Sequence, residues 1–70
     1  SNNELESLIG KILRIDIKEL GIPLYGRLIE VTPYWIDIKR KDGRHRIISK
    51  GRITGIEPVG ISNAEQDGTG

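Results

Sequence analysis

Tyr34-Trp35-Ile36-Asp37-Ile38-Lys39-Arg40-Lys41-Asp42-Gly43-Arg44-His45-Arg46-Ile47-Ile48-Ser49 decides the fold. Its first part, Tyr34 to Lys39, alternates with a period of two. Tyr34, Ile36 and Ile38 fall on one side, and Trp35, Asp37 and Lys39 on the other, the pattern of a half-buried strand. Lys41-Asp42-Gly43 follows, and Asp-Gly readily supplies the backbone angles of a tight hairpin turn. Arg44 to Ser49 then returns as the neighbouring strand.

The same period extends toward the N-terminus. Leu24 to Val31 is a strand with Leu24 and Leu28 on one face and Tyr25, Ile29 and Val31 on the other. Gly26 in its middle marks a bend or a close backbone approach. Thr32-Pro33 interrupts the run, because Pro33 has no amide hydrogen to give to a ladder. Before it, Leu13, Ile15 and Ile17 alternate with Arg14, Asp16 and Lys18, and residues 19–23 supply turn residues. On the C-terminal side, Lys50-Gly51 is a very short link to a fifth strand over 52–58 containing Ile53 and Ile56.

The chain opens differently. Asn3 before Glu4, Leu5, Glu6, Leu8 and Ile9 reads as a capped helix over about 3–9, its acids suited to the positive helix end. Gly10 stops it. Ser1 and Asn2 read as a remnant of expression and stay outside the fold reading. Residues 60–70 carry almost no apolar content and read as a disordered tail. The expected architecture is mainly β: one domain over 3–59, with a short helix followed by a five-stranded, strongly bent antiparallel barrel.

Seventy residues leave room for one core. A chain this short buries only about 60% of its unfolded surface, so small domains lean on disulfides, metals or oligomerisation. There is no Cys and only one His, His45, to which no role is assigned. Oligomerisation is left. No apolar run approaches the ~20 residues of a membrane span, and no signal-peptide core is present, so the expectation is a soluble cytoplasmic protein. The net charge is +1, but its distribution is uneven. Lys39, Arg40, Lys41, Arg44, Arg46, Lys50 and Arg52 are opposed between 39 and 52 by Asp42 alone, seven minus one, a local +6. Such a face suits an anionic partner.

No nucleophile elbow, phosphate-cradling glycine loop or metal-ligand cluster occurs. Asp16 and Asp37 alternate with apolar residues and are expected to face solvent. Binding rather than catalysis is expected, with no catalytic residue, metal or cofactor assigned.

A short helix before five bent strands resembles the Sm/LSm/Hfq family, over roughly Leu5 to Pro58. Two stretches carry the resemblance. Gly26-Arg27-Leu28-Ile29-Glu30-Val31-Thr32-Pro33-Tyr34-Trp35-Ile36 follows the spacing of the first family motif, and Ser49-Lys50-Gly51-Arg52-Ile53-Thr54-Gly55-Ile56 that of the short basic turn in the second. The chain departs from the pattern at Thr32, where Asp is usual, at Ile36, where the Sm-type Asn would stand, and at Gly51, which replaces the Hfq histidine.

The resemblance implies an Sm-like (SH3-like) barrel that assembles as a hexamer or heptamer of identical subunits. It implies single-stranded RNA held at the pore by Thr32, Pro33, Tyr34, Ser49, Lys50, Gly51 and Arg52, as a chaperone or scaffold. Tyr34 would stack a base or fill the barrel core, Lys50 would meet a phosphate, and Thr32 and Ser49 would bond a base edge. Trp35 would stack a nucleotide, pack a subunit interface or simply pack within its own subunit. Arg40, Lys41, Arg44 and Arg46 would contact RNA at the ring rim or simply solubilise the hairpin. Two rivals fit the same residues: a monomeric SH3- or OB-like module for duplex nucleic acid or protein, and a structural ring that has lost RNA binding.

Overall fold

A computed structural model describes residues 3–60. The element order is α1 (Asn3–Glu6), β1 (Ile12–Ile17), β2 (Leu24–Val31), β3 (Trp35–Lys39), β4 (His45–Ser49), a 3-10 turn η1 (Lys50–Arg52) and β5 (Ile53–Pro58). The strands form one antiparallel sheet in the order β4-β3-β2-β1-β5. Mainly β, five strands and a short N-terminal helix are as the sequence reads. Among the described residues the sheet is not closed by hydrogen bonds within one chain, because β4 pairs with β3 alone and β5 with β1 alone. The expected disorder of residues 61–70 and the expression remnant at Ser1 and Asn2 lie outside the described residues.

Although open, the sheet must curl. Ser49 and Ile53 belong to strands at opposite edges, four sheet steps apart, which is about 19 Å in a flat sheet. Four residues of chain span at most about 14 Å even when fully extended. The Lys50–Arg52 turn therefore holds the two edges near each other at one end. Its Lys50 amide donates to the Tyr34 carbonyl (2.9 Å) and the Lys18 amide donates to its Arg52 carbonyl (2.8 Å), joining the turn to both sides of the sheet.

Curling puts one face inside. Leu13, Ile15, Leu28, Ile36, Ile38 and Ile48 are buried, and Leu24, Ile53 and Ile56 from the same face pack against them. The bend passes through Gly26. A Cβ there would lie 3.0 Å from the Lys39 carbonyl oxygen and 3.1 Å from Ile38 Cδ1, so no larger residue fits without moving β3. Register shifts between Leu28 and Glu30, and between Asp16 and Ile17, add local twist. At the hairpin, Gly43 takes φ +89°, its amide donates to Arg40 O (2.9 Å), and the Arg44 amide donates to Asp42 Oδ1 (2.9 Å). The Asp-Gly pair thus forms the turn that its sequence announces.

Several boundaries differ from the sequence reading, and β4 begins at His45 rather than Arg44. The helix spans one turn rather than 3–9, because Leu8 and Ile9 amides bond back three residues to Leu5 and Glu6 as turns. Leu8 still reaches the core while Ile9 stays exposed. β5 starts at Ile53, because Arg52 is taken into the 3-10 turn. Tyr34 lies outside β3 and does not join Ile36 and Ile38 in the core; its side chain is 79% exposed.

Replacing Gly26 by Ala is expected to destabilise the fold by roughly 1–3 kcal/mol, the usual cost of forcing an atom into a packed site. A urea midpoint unchanged in that variant would show that β2 and β3 do not need their close approach.

Candidate nucleic-acid interface

Two connectors far apart in sequence meet at one end of the sheet. The β2–β3 connector brings Thr32, Pro33 and Tyr34, and the β4–β5 turn brings Ser49, Lys50, Gly51 and Arg52. Trp35 pairs with Ser49 across β3 and β4, and the Lys50 amide bonds to Tyr34 O, so the two are backbone-linked.

Thr32 builds the first connector. Its hydroxyl donates to Trp35 O (3.0 Å) and accepts from the Tyr34 amide (3.2 Å) and the Trp35 amide (3.0 Å). A hydroxyl has one hydrogen and two lone pairs, so all three are engaged. These bonds shape the loop, as a short acceptor side chain commonly does in turns. The turned loop thrusts Tyr34 outward and away from the core. A tyrosine ring presented in this way can stack on a flat, apolar surface such as a base.

The second connector is only partly available. Ser49 is exposed, and Lys50 is half-buried with a backbone tie to Tyr34. Gly51 is not demanded by space, since a Cβ there would meet only Ser49 Oγ at 3.9 Å. Arg52, in the same turn, forms an ion pair with Glu19 of the β1–β2 turn. Trp35 is half-buried.

The hairpin cations stand elsewhere. Arg40, Lys41 and Arg44 are exposed at the far end of β3 and β4, with Arg46 one residue inside β4. Four residue rises along β3 separate Trp35 from Lys39, about 13 Å. The +6 stretch is therefore two clusters, not one patch. One pairing escaped the sequence reading: His45 Nδ1 lies 3.0 Å from Asp37 Oδ1, with the Asp37 side chain only 14% exposed. The signal was there in principle, since an Asp-Gly hairpin with its turn centred on 42–43 sets strand registers, but it requires Lys39 opposite His45 to be known first.

Among the described residues no three His, Cys, Asp or Glu side chains gather as a metal site, and no helix is long and apolar enough to cross a membrane. Compared with protein-family models, curated proteins and solved structures, the chain matches none.

Thr32→Val should free the Tyr34 and Trp35 amides and cost about 1 kcal/mol, whereas Thr32→Ser should keep both bonds. Hydrogen exchange at those two amides measures it: faster in the Val variant, unchanged in the Ser variant.

Proposed function

We propose that this chain is an Sm-like subunit that assembles with identical copies into a ring and holds single-stranded RNA at the Thr32–Tyr34 and Ser49–Lys50 end. The observation that carries the reading is the backbone tie between Lys50 and Tyr34, which sets an outward aromatic ring next to a cationic turn. Stacking on the ring and charge at the turn are the two ingredients of sequence-tolerant single-strand binding.

The sheet edges support the assembly half of the reading. β4 and β5 lie at opposite edges, so pairing β4 of one copy with β5 of the next is a head-to-tail contact that leaves a free edge to continue. A curled subunit adds rotation at every step, which closes such a chain into a ring. Within each copy the interface supplies aliphatic surface: Ile47 on β4 is 58% exposed, and Ile53 and Ile56 on β5 are half-buried. The contact also completes, between chains, the barrel that one chain leaves open. The ring of six or seven copies is the family's stoichiometry. Chaperone or scaffold action, without chemistry, is the corresponding role.

Light scattering behind a sizing column should give the mass of a hexamer or heptamer; a monomer would turn the reading toward an SH3- or OB-like module. On the ring, Tyr34→Ala should cost about 1–3 kcal/mol per stacked base with little change in salt dependence. Lys50→Ala should weaken binding and flatten the salt dependence by about one unit for each phosphate left without its lysine. Both variants should keep the native mass. An intact ring indifferent to both substitutions, in titrations with uridine-rich and A-rich oligonucleotides, would leave a structural ring without RNA binding.

A further inference from the structure

A groove of about 920 Å³ runs along the outer face of β2. Leu28 lies in the core and Gly26 backs onto Ile38, so Tyr25 and Arg27, which alternate with them, project from the opposite face. Ile29, at the register shift, continues the floor. Tyr25 is 53% exposed, so half of its surface is open to a ligand.

The two sides of the groove differ in chemistry. On the β1 side stands Ile12, paired with Arg27 across the ladder. The cation beyond it, Arg14, already faces Asp16 (3.5 Å) and Glu57 (3.7 Å). On the β3 side stand Lys39, which pairs with Arg27 from the other flank, and Arg40 and Lys41 of the hairpin. Among the described residues these three face no acid within ion-pair distance. The single acid lining the groove, Asp42, accepts the Arg44 amide, and Arg27 Nη1 donates to Gly10 O (2.6 Å).

Uncommitted positive charge thus lines one wall, and aliphatic surface the other. An extended peptide has the matching symmetry. Its successive side chains point to opposite sides, so a segment lying along β2 shows alternate residues to the two walls. The Cα atoms of Lys39 and Lys41 are at most about 7 Å apart, the interval of carboxylates at i and i+2 in such a segment. A single-stranded nucleic acid fits less well, because its flat bases need rings and this floor offers one ring with two branched isoleucines. We infer that the groove binds an extended acidic peptide of another protein, with carboxylates against the Lys39–Lys41 wall and the alternate, apolar side chains against Ile12, Tyr25 and Ile29. Exposed ion pairs are individually weak, so the apolar contacts carry much of the affinity. Docking of this kind requires neither RNA binding nor ring formation.

The probe is a blocked five-residue peptide with glutamate at its first, third and fifth positions and leucine between them, titrated into the isotope-labelled full-length chain. The amides of Ile12, Tyr25, Arg27 and Lys39 to Asp42 should shift, and those of Thr32 to Trp35 should not. Glutamine in place of glutamate should weaken binding about tenfold, through the loss of three surface ion pairs. Serine in place of leucine should weaken it by a similar factor, through lost burial. Lys39→Gln with Lys41→Gln should weaken it about fivefold. Both lysines are exposed, so the fold is kept, and an unchanged amide spectrum elsewhere in the double variant checks this. No shift at millimolar peptide would overturn the proposal, as would equal affinity for the glutamine peptide or in the double variant. Tighter binding of a uridine-rich or A-rich oligonucleotide at the same amides would assign the groove to nucleic acid instead. Shifts of those amides on diluting the free protein would assign it to a second copy.

Discussion

The three-residue link between strands at opposite edges of the sheet is the constraint on which the rest depends. Lys50–Arg52 cannot cross a flat five-stranded sheet, so the sheet curls, and the curl determines which face becomes the core. It also favours Gly26, because the bend brings β2 so near the Lys39 carbonyl that a Cβ, at 3.0 Å, would force β3 to give way. The same link ties the Ser49–Arg52 turn to Tyr34 on one side and to Lys18 on the other. Fold and candidate site thus share one cause. A longer β4–β5 connection would relax the sheet and separate the two loops that meet there.

Curling without closing leaves a small protein with a specific deficit. Among the described residues six side chains form the buried core, and all lie on β1 to β4. β5 contributes only half-buried isoleucines, and β4 leaves Ile47 in water. Such edges, rich in β-branched residues and with free backbone groups, are what soluble proteins either blunt or pair. Charge does little blunting here. Arg46 and His45 flank one end of β4, but Ile47-Ile48 occupy its middle. The small core of a short chain and its unpaired edges are two sides of one deficit.

How far these features were legible depends on their range. β2 is found over Leu24–Val31 as read, bounded by Pro23 and Pro33, but the register shift between Leu28 and Glu30 turns Val31 onto the core face, where alternation alone sets it opposite Leu24 and Leu28. The Asp42-Gly43 turn is a local property and is equally plain. Tyr34 was legible only as a choice between core and surface, because alternation extends to it although the strand does not. What decides the matter is the Thr32 hydroxyl, whose three bonds turn the chain before the strand begins. The Arg52–Glu19 pair spans thirty-three residues and rests on β5 lying beside β1, a placement that no local pattern encodes. The family resemblance implies Arg52 among the pore residues, and the ion pair with Glu19 ties the same turn to the β1–β2 connection.

The division of charge into two clusters limits what a bound polyanion can do. Lys50 lies at one end of the β3–β4 pair and Arg40, Lys41 and Arg44 at the other, about 13 Å apart along the strands. Between them on the outer face lie Asp37, His45 and Ile47, which offer one paired acid and one aliphatic, and no further cation besides Lys39. An extended strand spanning both clusters would have to run over Asp37, which is unfavourable for a phosphate. It would also follow β4, an edge strand of the sheet. The two cationic ends therefore act separately. The loop end, with its outward tyrosine, has the means to stack a base. The hairpin end carries its cations beside the exposed ring of Tyr25. The net charge of +1 conceals this arrangement, because the acids that balance the sum sit in other parts of the chain.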